Sequence, residues 1–229
     1  MYALYIANKN YSSWSLRPWV LMRELAIPFE ERMVLFAEGS SWDAFRTFSP
    51  TGQVPCLVDG DTVVWDSLSI TEYLAERHAG VWPSEPRARA WARSAAAEMH
   101  SGFGALRSNC PMSCGIRVRI DTPSDALKQD IARLSELWTE GLSRFGGPFL
   151  AGGAFTAVDA FFAPVAFRIQ TYGLELDGTC AAYAAHLLAL PSMRRWEADA
   201  LAETAREPGH EALTGNAGTL IEDLRAPAS

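Results

Sequence analysis

The stretch "NYSSWSLRPWVLMREL", residues 10–25, follows the short apolar run "YALYI", residues 2–6, and the junction between them decides how the first half is read. The run is short and apolar, as a buried strand requires. Leu16, Trp19 and Val20 then recur on one helical face, and Pro18, tolerated in a first turn where its missing amide would have had no partner, places the helix start close by. Ser15 is therefore the expected N-cap, with Ser12 just outside it. Hydroxyls at such a mouth stand beside free amides and the positive end of a helix dipole, a setting that favours an anion.

Outward from this junction, "FEERMVL" (29–35) reads as a second strand and "SWDAFRTFS" (41–49) as a short helix. "VPCLVDGDTVVW" (54–65) reads as a hairpin turning at Asp59-Gly60. "DSLSITEYLAERH" (66–78) is a helix capped by Asp66 or Ser67, striped by Ile70, Tyr73, Leu74 and Arg77, and closed by Gly80. The order is β-α-β-α-β-β-α over residues 1–80. "GVWPSEPRA" (80–88) carries two prolines within four residues, so 81–86 reads as a linker.

From 87 to 229 strand patterns stop and an all-helical domain is expected. Residues 86–106 are alanine-rich, and Leu127, Ile131, Leu134, Trp138, Leu142 and Phe145 line one face of a long helix whose start is marked by Thr122-Pro123-Ser124-Asp125. "FTAVDAFFAPVAFRIQTYG" (155–173) begins with Thr156 as N-cap and Asp159 three residues on, a capping box with Asp in place of Glu or Gln. The segment from Pro208 onward is mixed and expected to wrap the surface.

A formal charge of -7 and the absence of Lys/Arg blocks disfavour nucleic acid and anionic membranes as partners. No apolar stretch reaches spanning length, and the N-terminus lacks a signal pattern, so a cytoplasmic protein is expected. Cys56, Cys110, Cys114 and Cys180 are too few and too irregular for a disulfide framework and read as free thiols. The four histidines are scattered singly, so no metal site is expected.

Ser12-Ser13-Trp14-Ser15 ahead of Arg17, Gln53-Val54-Pro55, Asp66-Ser67 and "FTAVDAFFAP", in this order and spacing, resemble the cytosolic glutathione transferase family over nearly the whole chain. The resemblance implies a thioredoxin-like first domain of α/β type, an all-helical second domain, and glutathione as co-substrate. Redox relatives of that first domain carry two cysteines where this chain has Ser12 to Ser15, so dithiol exchange is excluded there.

It also implies site residues. Ser12, with Ser13 in reserve, would donate to the glutathione sulfur, Tyr11 pointing elsewhere. Val54-Pro55 would be the family's cis-proline turn, with the Val54 backbone pairing with the cysteinyl unit. Asp66 would face the γ-glutamyl ammonium, Ser67 its carboxylate, and Gln53 the tripeptide backbone. Cys56 reads as a buried small hydrophobe.

A small apolar electrophile would lie between the domains, against the helices from Trp91 to Arg107 and the turn containing Met112. The expected protein is a glutathione S-transferase and a homodimer. The alternatives are a glutathione-dependent isomerase of the maleylacetoacetate type, whose relatives carry cysteine where Trp14 stands, and a non-catalytic glutathione-binding module.

Overall fold

The computed structural model describes residues 1–228. Its first half runs β1 (Tyr2–Ile6), α1 (Ser13–Glu24), β2 (Phe29–Met33), α2 (Trp42–Arg46), β3 (Cys56–Asp59), β4 (Thr62–Trp65) and α3 (Ser67–Ala75), the order expected. The strands form one mixed sheet in the order β2-β1-β3-β4. β1 pairs parallel with β2 and antiparallel with β3, and β3 pairs antiparallel with β4. The period of two is visible on β1: Leu4 and Ile6 are fully buried, while Tyr5 turns to the opposite face and stacks on Phe48 at 4.2 Å.

Helix α1 starts earlier than its proline suggested. Ser12, not Ser15, is the N-cap, and Pro18 lies inside the helix. Two observations account for this. The Tyr11 and Ser12 amides donate to the Asn8 carbonyl at 3.1 and 2.9 Å, so the chain is wound before Ser13. Every residue from Ser15 to Met22 is also buried, and packing on that scale outweighs the roughly 3 kcal/mol an interior proline costs.

The second half is helical: α4 (Pro86–Ser101), α5 (Gly104–Asn109), α6 (Asp125–Phe145), α7 (Ala157–Tyr172), α8 (Gly178–Ala189), α9 (Pro191–Ala202) and α10 (Pro208–Gly215). α7 is buried on nearly all sides, which is why its sequence is apolar around its whole circumference. It packs on α1, α4 and α8, and one apolar core runs unbroken through both halves. Thr156 and Asp159 form the expected capping box. Within the expected start at Thr122-Pro123-Ser124-Asp125, the cap of α6 is Ser124, its hydroxyl accepting from the Leu127 amide at 3.1 Å.

One element departs from the all-helical expectation. β5 (Ile116–Arg119) and β6 (Thr219–Asp223) form an antiparallel ribbon. β6 is exposed along its whole length and β5 buries only Ile116 and Val118, so neither had the sustained alternation by which a strand is recognised. Among the described residues no helix is long and apolar enough to cross a membrane.

Candidate functional site

Where the sheet domain faces the helices, a cavity of about 880 Å³ opens. Its first-domain wall includes Ser12, Ser13, Gln53, Val54, Pro55, Asp66 and Ser67, so the fold gathers onto one surface residues drawn from three separate turns. Each turn has a local cause. Ser12 and Ser13 sit at the mouth of α1, where the amides of the first helical turn lack intrahelical acceptors. Val54 and Pro55, joined by a cis peptide bond, precede β3. Asp66 adopts φ 73 as the N-cap of α3 and accepts from the Leu68 and Ser69 amides at 2.8 and 3.3 Å. On the rim, Gly52 at φ +63 lies under Trp42, whose ring a Cβ would meet at 2.5 Å, so glycine is needed there for both dihedral and space.

Ser12 is 5% exposed, and its hydroxyl donates to the Ser15 hydroxyl at 2.7 Å; the Ser15 oxygen also accepts from the Ala7 amide at 3.4 Å. Ser15, expected as a cap, is thus a buried partner of Ser12. Tyr11 also lines the cavity, but its hydroxyl donates to Glu211 at 2.6 Å. Burial, reinforced by that carboxylate, raises the Tyr11 pKa far above its ordinary value.

Ser67 is fully buried, and behind it stands Arg17, also buried, whose Nη1 donates to the Ser67 hydroxyl at 3.4 Å. Arg17 stacks on the Trp14 ring at 4.1 Å, and its Nε has no partner among the described residues. Burial, with Arg168 and Arg107 nearby, lowers its pKa to about 9, so it is still a cation at neutral pH. His100 approaches Asp66 at 3.4 Å, and burial holds the imidazole below its ordinary value. At neutral pH His100 is therefore uncharged and is not a cationic partner of Asp66.

The second-domain wall holds Pro111 and Met112, as expected for an apolar face, and also Arg107 and Arg168. His210 and Thr214 of α10 line it too, and the His210 ring stacks between Tyr11 at 4.9 Å and Phe36 at 4.6 Å. The segment after Pro208 thus closes one side of the cavity. Cys56 is fully buried, with its thiol pushed up to about 11 by burial, which suits a core residue and not a nucleophile.

Sequence reasoning passed over the group that holds the α1 mouth in place. The Lys9 and Asn10 amides donate to Glu203 at 2.5 and 3.2 Å, and Asn10 Nδ2 donates to the Ala200 carbonyl. Lys9 Nζ pairs with Glu31 at 2.7 Å and Asp199 at 2.8 Å. Polar residues following a strand read as a solvated loop; only the available signal of a lysine between two asparagines, separated from the serines by Tyr11 alone, hinted otherwise.

Comparison with known proteins gives a consistent picture. The family model "Glutathione S-transferase, N-terminal domain" matches residues 11–77, and "Glutathione S-transferase, C-terminal domain" matches residues 121–199. A dichloromethane dehalogenase of Methylorubrum extorquens is 43% identical over 65 residues, 27% of this chain and 23% of that protein. Glutathione S-transferase F14 of Arabidopsis thaliana is 30% identical over 166 residues, 68% of this chain and 65% of the relative. The matched segments therefore span less than two thirds of these relatives. A glutathione transferase homolog from Burkholderia gl BGR1, solved with bound glutathione, superposes with a TM-score of 0.66 at 22% identity, covering 87% of this chain and 97% of that one, a likeness of fold.

Proposed function

Because the chain belongs to the glutathione S-transferase family, we propose that it is a glutathione transferase in which the Ser12 hydroxyl stabilises the glutathione thiolate for attack on a small electrophile with an apolar body. The observation that carries this reading is the Ser12 hydroxyl, set at the mouth of α1 in the same cavity wall as Gln53, Val54, Pro55, Asp66 and Ser67.

These residues fit the tripeptide by their chemistry. Asp66, on the cavity wall beside a neutral His100, offers a carboxylate to the γ-glutamyl ammonium. Ser67, first residue of α3, offers a helix N-terminus to the adjacent carboxylate, with the Arg17 cation behind it. The Val54 backbone, outside the β3 ladder, is open to an added strand, and Gln53 supplies an amide. Residues 1–80 would hold glutathione, 81–86 link the domains, and 87–229 hold the second substrate.

A free thiol titrates near 8.5. One hydroxyl donating to a charged acceptor contributes about 1.5–3 kcal/mol and the helix N-terminus about 0.3–1, enough to bring the thiol to neutrality. For Ser12 to donate to sulfur, its O–H rotates away from Ser15, and the Ser15 hydroxyl turns to donate to Ser12. Serine stabilises the anion and does not remove the proton.

Ultraviolet difference absorbance of bound glutathione against pH tests the assignment. Wild type should titrate about one to two pH units below free glutathione, and Ser12→Ala should restore most of the difference. An undisplaced wild-type titration would leave a binding module without turnover. A shift lost in Ser13→Ala but kept in Ser12→Ala would move the role by one residue. The proposal includes a homodimer, and a monomeric mass by light scattering would overturn that part.

A further inference from the structure

Arg168, on α7, is 5% exposed and lines the cavity, yet its Nε and Nη1 have no hydrogen-bond partner among the described residues. Buried guanidinium groups are normally paired, because an uncompensated charge out of water costs several kcal/mol. The titratable groups that act most strongly on Arg168 are Tyr172, Cys110, Arg107 and Cys114, Arg17 also lies near, and none of these is a carboxylate. Tyr172 is itself spent on the Pro111 carbonyl at 2.7 Å. Burial lowers the Arg168 pKa to about 10, which leaves it cationic at neutral pH.

Arg107 stands with it. Its Nη1 donates to the His100 and Gly102 carbonyls, and its guanidinium lies 4.8 Å from the Trp14 ring, whose other close cation is Arg17 at 4.1 Å. Arg107, Arg168 and Trp14 line both the main cavity and a smaller recess of about 420 Å³. Among the described residues the only carboxylate on the main cavity wall is that of Asp66, which caps α3 on the first-domain side. Arg17 has Asp66 as a counter-charge; Arg168 has no carboxylate in salt-bridge reach among the described residues. The arginines therefore divide into one beside the tripeptide residues and two facing the space left for the second substrate.

We infer that the second substrate carries a carboxylate, received by Arg168 with help from Arg107, while its apolar body lies against Met112, Pro111 and Trp14. The Nε and Nη1 of Arg168 are shut off from solvent, whereas Nη2 is not among the enclosed nitrogens and donates to no group among the described residues, so Nη2 is the charge-assisted donor placed to receive a carboxylate. The inference rests on the transferase reading above and narrows its electrophile from an apolar molecule to an apolar acid.

The test compares 4-chloro-3-nitrobenzoate with its neutral isostere 4-chloro-3-nitrobenzamide. Both are titrated calorimetrically into the full-length protein, with and without non-reactive S-methylglutathione. The expected result is at least about tenfold tighter binding of the acid to wild type, a ratio near one in Arg168→Met, and partial retention in Arg168→Lys. Equal affinities for acid and amide in wild type overturn the inference, whether or not a variant folds. So does a preference that survives in both Arg168→Met and Arg107→Met, and so does an Arg168→Met variant that loses S-methylglutathione affinity while keeping the acid preference. S-methylglutathione titrated alone tests the transferase reading separately: no binding there sinks that reading, and with it the acid's role as second substrate.

Discussion

Replacing Asp159 by alanine tests the internal logic of the helical half. Asp159 is fully buried, and its carboxylate accepts from the Leu150 amide at 3.0 Å, the Thr156 amide at 2.9 Å, the Tyr183 hydroxyl at 2.8 Å and the Thr156 hydroxyl at 3.4 Å. It thus ties the loop before α7 and helix α8 to the start of α7. Asp159→Ala leaves three well-formed donors without an acceptor, at about 2 kcal/mol each, about 6 kcal/mol together. Against this, burial raises the Asp159 pKa from 3.8 to about 6, despite the donors. Removing a carboxylate held in that way returns about 3 kcal/mol at neutral pH. The expected net loss is about 3 kcal/mol at pH 7.

The pH dependence supplies the sharper check. The folded protein keeps this proton between about pH 4 and pH 6, where the unfolded chain has lost it, so the wild-type contribution is full below about pH 4 and falls as pH rises to 6. The alanine variant has no such dependence. The stability gap between them should narrow by about 1 kcal/mol from pH 5 to pH 7, read from urea unfolding at each pH. A gap below about 1 kcal/mol at pH 7 would refute the donor count. A gap that widens with pH would show that the four donors favour the anion more than burial opposes it.

Tyr11→Phe should leave the titration of bound glutathione within about 0.3 pH units of wild type, since the Tyr11 hydroxyl is already given to Glu211; a clear upward displacement would make tyrosine the donor. Lys9→Met removes a cation whose side chain is 3% exposed, between carboxylates that are 24% and 26% exposed. Because those partners stay partly hydrated, the expected loss is about 1–3 kcal/mol rather than the larger penalty of a dry pair. It would appear as a lower urea midpoint at unchanged slope, and an unchanged midpoint would remove Lys9 from the account of how the α1 mouth is held.

The first domain was legible because its signals are local. Short apolar runs, the Asp59-Gly60 turn and the Asp66 cap each act within a few residues, and all agree. The placing of Ser12 was only half legible: a proline usually marks a first turn, and what moved the helix start was burial of the whole run from Ser15 to Met22 and the Asn8 carbonyl, neither visible as a pattern. Arg168 was illegible for a different reason. It stands in a run of apolar residues, and whether such an arginine is paired depends on groups far along the chain. The same holds for His210, which reaches the cavity only because α10 folds back onto Tyr11 and Phe36.

The attachment of Lys9 and Asn10 to Asp199, Ala200 and Glu203 joins the eighth-to-twelfth-residue segment to positions about 190 residues downstream. During synthesis the sheet domain leaves the ribosome long before those anchors exist. Until then the serine turn lacks the partners that fasten it, and it is locked only when the ninth helix emerges and docks. Competence for chemistry would then arrive late and all at once, so that a chain cut short before that helix is an inert product rather than a half-active one.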